Sequence, residues 1–135
     1  MTKSIERDSR PDDTAAGPEQ YFQQMLDQGK FMIQRCERTG RAVFYPRAVS
    51  PFGGGPLRWE PASGGGTVYS ATIVRRREDR GGDYSVVLVD LDEGPRLMST
   101  VVDAEPTDVR IGMRVQAEVR RTPEGISRVV FIAAD

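Results

Sequence analysis

Five strand-patterned segments follow one another between Thr67 and Ala134, each closed by turn residues. This series restricts the fold more than any other feature of the chain. TVYSATIVRR is long and rich in β-branched residues. DYSVVLVDLD is almost continuously apolar, as in a central strand with little exposed face. After the turn EGP, RLMSTVVD returns. EPTDVRIG reads as one helical turn, with Pro106 at its start and Gly112 just past its end. MRVQAEVRR alternates, with Met113, Val115, Ala117 and Val119 facing in and Arg114, Gln116, Glu118 and Arg120 facing out. TPEG makes a hairpin turn and ISRVVFIAA closes the series. Strands in this order predict an OB-fold, a small Greek-key barrel. A three-plus-two sandwich satisfies the same pattern.

The N-terminal half differs in kind. Residues 1–17 are polar, charged and aperiodic, the pattern of a disordered tail. Residues 18–29 read as a helix: Pro18 suits the first helical position, Glu19 the positive end, and Gly29 the C-cap. Tyr21, Phe22, Met25 and Leu26 share one face by helical periodicity. So short a helix does not persist alone in water. Its stripe packs either on this chain or on a partner. Residues 30–63 form a small knuckle: KFMIQRC and RAVFYPR are strands about the turn ERTG, Pro46 ends the second, SPFGGGP is a loop and LRWEP a third strand. Gly64, Gly65 and Gly66 read as a hinge or module boundary ahead of the barrel, residues 64–135. No internal repeat is present.

The knuckle has the layout of a structural zinc site without the ligands. Such a site usually takes four Cys or His side chains in two C-x-x-C pairs, because thiolates from one tight turn occupy one edge of the tetrahedron. Cys36, the one cysteine of the chain, opens the first pair. Its mate is Thr39, and the second turn offers Ser50 and Gly53. Hydroxyls are poor zinc ligands near neutral pH and glycine has no side chain. The expectation is a metal-free knuckle packed on Phe31, Ile33, Val43, Phe44, Tyr45, Phe52, Leu57 and Trp59, with Cys36 a small buried apolar residue.

The chain contains no histidine. This removes Ser/His/Asp and Cys/His catalysis and the commonest metal ligand. Asp90, Asp92 and Glu93 form a carboxylate cluster, but at a hairpin, where charges are solvated turn residues. The chain is therefore expected not to be an enzyme and to need no cofactor. A formal net charge of -1 gives no global field favouring nucleic acid or an anionic membrane. No apolar run reaches the roughly 18 residues of a spanning helix, and the N-terminus lacks an apolar signal core. A single cysteine fits a reducing compartment, so the expected location is cytoplasmic.

YFQQMLDQGKFMIQRCERTGRAVFYPR, LRWEPASGGGTVYSATIVRR, VVLVDLDEGPRLMSTVVD and VRIGMRVQAEV run in order from Tyr21 to about Phe131. In this combination the chain resembles domain of unknown function family thirty-five, which joins a rubredoxin-like zinc ribbon to an OB-fold. The resemblance implies a mainly β fold: a five-stranded OB-fold barrel preceded by an N-terminal helix and a metal-free rubredoxin-like knuckle. The family's ribbon carries its two C-x-x-C pairs at the positions of Cys36, Thr39, Ser50 and Gly53, and this sequence departs at three of them. Proteins of this type look like non-catalytic partners of thiolase-like and other acyl-CoA enzymes. The implied function is an accessory or scaffold subunit that docks on such an enzyme and helps to bind acyl-CoA.

Within that implication, Tyr21, Phe22 and Met25 are the candidate partner contacts. Arg75, Arg76 and Arg77, with Arg80 beyond them, are the candidate ligands for CoA phosphates, since guanidinium groups donate in a planar fork. On a strand Arg75 and Arg77 point one way and Arg76 the other, so only some can meet one ligand. The alternative is a solvated strand end with Glu78 and Asp79 as counter-charges. A rival function is an OB-fold protein binding single-stranded nucleic acid, which needs a positive groove and exposed aromatics. Tyr69, Tyr84 and Phe131 are a thin supply, and Tyr69 is expected in the core. Asp90, Asp92, Glu93, Asp103, Glu105 and Asp108 would repel a backbone, so nucleic acid is disfavoured.

Overall fold

Two antiparallel sheets carry the fold of the computed structural model, which describes residues 17–134. The expected tail therefore lies, but for Gly17, outside the described residues. The chain divides into two compact units, Met1–Pro61 and Ala62–Asp135, and each has its own sheet.

In the first unit, α1 spans Gly17–Asp27 and buries Leu26. Gly29 ends it in the left-handed region (φ 83°), with its N–H donating to Leu26 O at 2.8 Å and that of Lys30 to Met25 O at 2.9 Å. Strands β1 (Met32–Cys36), β2 (Ala42–Val43) and β3 (Leu57–Pro61) follow, in the order β2-β1-β3. β1 pairs with β3 from Met32↔Pro61 to Cys36↔Leu57. β2 is much shorter than RAVFYPR predicts, pairing only Ala42 and Val43. Beyond it the buried Gln34 side chain replaces the ladder: its Nε2 donates to Arg47 O at 2.8 Å and its Oε1 accepts from Arg47 N–H at 2.8 Å. Ile33, Cys36 and Val43 are buried beside it.

In the second unit, β4 (Gly65–Val74), β5 (Tyr84–Leu91), β6 (Arg96–Ser99), β7 (Arg114–Arg121) and β8 (Ser127–Ala133) form one curled sheet in the order β6-β5-β4-β7-β8. Past the end of β6 the two edges meet through a parallel bridge, Val101↔Phe131. Phe131 N–H donates to Thr100 O at 3.0 Å and Val102 N–H to Phe131 O at 2.8 Å. Two 3-10 turns connect the strands, Glu78–Arg80 and Pro106–Asp108, the second where the helical turn was expected. Val68, Val87, Val89, Val115, Val130 and Phe131 make the core, each at most 1% exposed. This is the five-stranded OB-fold arrangement with an N-terminal helix that the sequence predicts, not a sandwich.

One local expectation changes. Tyr69 is not in the core but 49% exposed. The pairing runs from Val68↔Val89 straight to Ser70↔Leu88, so Tyr69 is the extra residue of a β-bulge and leaves the alternation. Gly64, Gly65 and Gly66 are all buried, and Gly65 and Gly66 open β4. A Cβ on Gly66 would stand 2.6 Å from Val89 Cγ1 and 2.9 Å from Asp90 O, so close strand approach requires glycine there.

Candidate functional site

The first unit assembles the frame of a metal knuckle. Cys36 O accepts Gly40 N–H at 2.8 Å and Ser50 O accepts Gly54 N–H at 3.0 Å, so each half forms the same tight turn. The two turns face each other: Ser50 Oγ donates to Cys36 Sγ at 3.0 Å and accepts Phe52 N–H at 3.0 Å. Both side chains are buried. Hydrogen bonding from Ser50, then from Thr39, holds the Cys36 thiol down to about 7 against the opposing effect of burial. The donor set does not fit zinc. It offers one thiol and two hydroxyls, and among the described residues no three His, Cys, Asp or Glu side chains converge as ligands would. An O–H···S bond stands where a metal would bridge the turns.

Rings hold the unit instead. Phe22, Phe31 and Phe44 form an edge-on trio with centroids 6.3, 5.5 and 6.1 Å apart, and Tyr45 packs 4.6 Å from Phe44. Tyr21 lies 4.8 Å from Trp59, and Arg41 covers Phe52 at 3.8 Å. Of the expected partner stripe, Tyr21 and Phe22 make ring contacts within this unit, and Tyr21, Phe22 and Met25 all remain half-buried. Arg35 adds a fork on Glu60 at 2.9 and 2.7 Å, which holds that carboxyl below its ordinary range.

The second unit separates the three candidate arginines. Arg75 binds Asp83 at 2.7 Å and Arg77 binds Asp79 at 3.0 Å. Arg76 turns to the other side and lies over the Tyr84 ring at 4.8 Å. The Asp83 carboxyl is held low by Arg76 N–H and then by Arg75. Three of the six acidic residues expected to repel a backbone are matched: Asp90 with Arg96, Asp92 with Arg114, and Asp103 with Arg120. Glu93 Oε2 accepts Ser63 N–H at 2.7 Å.

Arg76 lines a cleft of about 400 Å³ together with Arg75, Glu78, Asp83 and Glu105, and two further clefts adjoin it. One of about 520 Å³ lies between the β4–β5 connection and the β7–β8 hairpin, where Arg80, Arg120, Arg121 and Arg128 join it. The other, about 720 Å³, shares Arg76 and Arg128 and runs past Val101, Val102 and Val129. Sequence reading missed Arg120, Arg121 and Arg128 because they lie more than forty positions beyond Arg76 and only sheet curling brings the hairpin back. The RR pair ahead of TPEG was the available signal.

Known proteins share this arrangement. Residues 23–49 match the family model described as ChsH2, rubredoxin-like zinc ribbon domain, and residues 59–120 match ChsH2, C-terminal OB-fold domain. The chain is 33% identical over 95 residues to a DUF35 domain-containing scaffold protein of Methanocaldococcus jannaschii, covering 67% of each. It is 29% identical over 108 residues to the one from Pyrococcus furiosus, covering 77% of this chain and 79% of that protein. A solved structure described as Ltp2-ChsH2(DUF35) aldolase superposes with a TM-score of 0.76 at 28% identity, covering 93% of this chain and 100% of that one.

Proposed function

This chain belongs to the family of DUF35 domain-containing scaffold proteins, and from that premise we propose that it is a non-catalytic subunit that docks on an acyl-CoA enzyme of the thiolase-like kind and helps to hold the acyl-CoA. The observation that carries the reading is the likeness, over nearly the whole chain, to a chain described with an aldolase partner. The chain's own chemistry supports it. With no histidine, acid–base work falls to carboxylates, and Asp90, Asp92 and Asp103 are already committed to arginines.

Docking through α1 draws on the half-exposed faces of Tyr21, Phe22 and Met25, with the rings serving packing and contact together. Of the three candidate phosphate ligands, Arg76 is best placed. Arg75 and Arg77 keep Asp83 and Asp79 beside them, and any approaching anion meets those charges. The test is purification of the tagged chain from its native cells with identification of what co-elutes. A stoichiometric complex with an enzyme acting on acyl-CoA is expected. Turnover of acyl-CoA by the isolated chain, or a stable complex only with unrelated proteins, defeats the reading.

A further inference from the structure

Deepening the acyl-CoA reading, on which it rests for Arg76 but not for the docking partner, we propose that the cleft between the β4–β5 connection and the β7–β8 hairpin is a site for a phosphate ester, bound by Arg76, Arg80, Arg121 and Arg128. The second unit has ten arginines, no lysine and twelve Asp and Glu residues, so its overall charge repels anions. Half of those arginines nevertheless line this one cleft, and Glu124 is the single acidic residue in its wall. Of the five arginines elsewhere, four are neutralised: Arg75, Arg77, Arg96 and Arg114 each hold an aspartate, and Arg110 holds none among the described residues. Inside the cleft only Arg120 is so engaged, by Asp103 and Glu118. Among the described residues no carboxylate pairs with the other four.

Like charges gathered in one concave place repel, and a bound anion relieves that repulsion. Arg121 spends one donor on Gly125 O at 3.0 Å and keeps the rest of its fork. Arg76 is set in place by two neighbours. Its guanidinium lies on the Tyr84 ring, and it passes so near Gly81 that a Cβ there would stand 2.8 Å from its terminal nitrogen. Gly81 also holds φ 105°, which favours glycine. Four forks exceed what one carboxylate can accept, whereas a phosphate offers about two charges and three acceptor oxygens. The adjoining cleft has a mixed lining, with Val86, Met98, Val102 and Val129 beside Ser99, Thr100, Asp83 and Asp103, so an apolar part of an ester finds contacts there while its charge is confined to the arginine cleft.

The experiment titrates the full chain with pyrophosphate, ADP, coenzyme A and a ten-residue oligothymidylate at about 0.1 M salt. Both esters are expected to bind saturably and to be displaced by pyrophosphate. Arg80→Gln with Arg128→Gln should weaken them at least about tenfold. Arg75→Gln with Arg77→Gln should change affinity less than about twofold, because those charges are already matched. Circular dichroism checks that each variant is folded, and any variant that is not is replaced by Arg128→Gln alone, for which a loss of at least about threefold is required. Several outcomes overturn the site: no saturable ester binding at about 1 mM, equal loss in the two double variants, esters that pyrophosphate does not displace, or an oligonucleotide that binds more tightly than either ester.

Discussion

At Cys36 a single hydroxyl does what a metal does in a zinc ribbon, joining two turns across the middle of the unit. The consequence is pH-dependent. The folded chain holds this thiol at about 7 against an ordinary 9.0, so the unfolded chain binds the extra proton between those values. Stability contributed by Cys36 is therefore fully present above the higher value and is lost as pH falls through the lower. The denaturation midpoint of the first unit, read by the fluorescence of Trp59, the one tryptophan of the chain, should rise from pH 7 to 9. Ser50→Ala should flatten that rise, and a slope unchanged in the variant rules the mechanism out. Gln34 poses a second test. Gln34→Ala strands the Arg47 carbonyl and N–H and should cost about 1–3 kcal/mol. A loss well under 0.5 kcal/mol would mean water takes over both bonds. The spacing of Cys36, Thr39, Ser50 and Gly53 located the two facing turns in the sequence. The role of Gln34 had no such signal, because its partner is backbone thirteen positions away.

Among the elements, α1 and the small sheet depend on each other through rings. Phe44 touches Phe22, Phe31 and Tyr45, so it sits at the centre of the cluster. Phe44→Ala should destabilise the first unit by about 3 kcal/mol. A chelator, by contrast, should leave the melting of the native chain unchanged, and stoichiometric zinc after dialysis would refute the ring-packed account. In the curled sheet the corresponding element-level test is Gly66→Ala. The added methyl meets Val89 and the Asp90 carbonyl, which is backbone and cannot swing aside, and the expected cost is about 1–3 kcal/mol. Chemical denaturation followed by circular dichroism reads it. A neutral result would show that β4 and β5 can separate slightly. Strand periodicity announced these elements, but the bulge at Tyr69 did not show in the pattern, since one inserted residue only shifts the alternation.

For the molecule as a whole, two units with separate sheets and separate cores imply separate foldability. Residues 62–135 expressed alone should give a cooperative thermal transition, and a chain that melts without one would show that the second core is insufficient. What the sequence determined by itself was local or periodic: strand alternation, the β-branched content, the turn glycines and the missing ligands, each readable within about ten residues. The OB-fold order and a knuckle poor in zinc ligands followed from these. Tertiary structure alone decided which charges meet. Arg76 and Arg128 are fifty-two positions apart, and only a sheet that curls until Val101 bridges Phe131 puts them on one cleft, since the energy of a charge depends on distance through space and not along the chain.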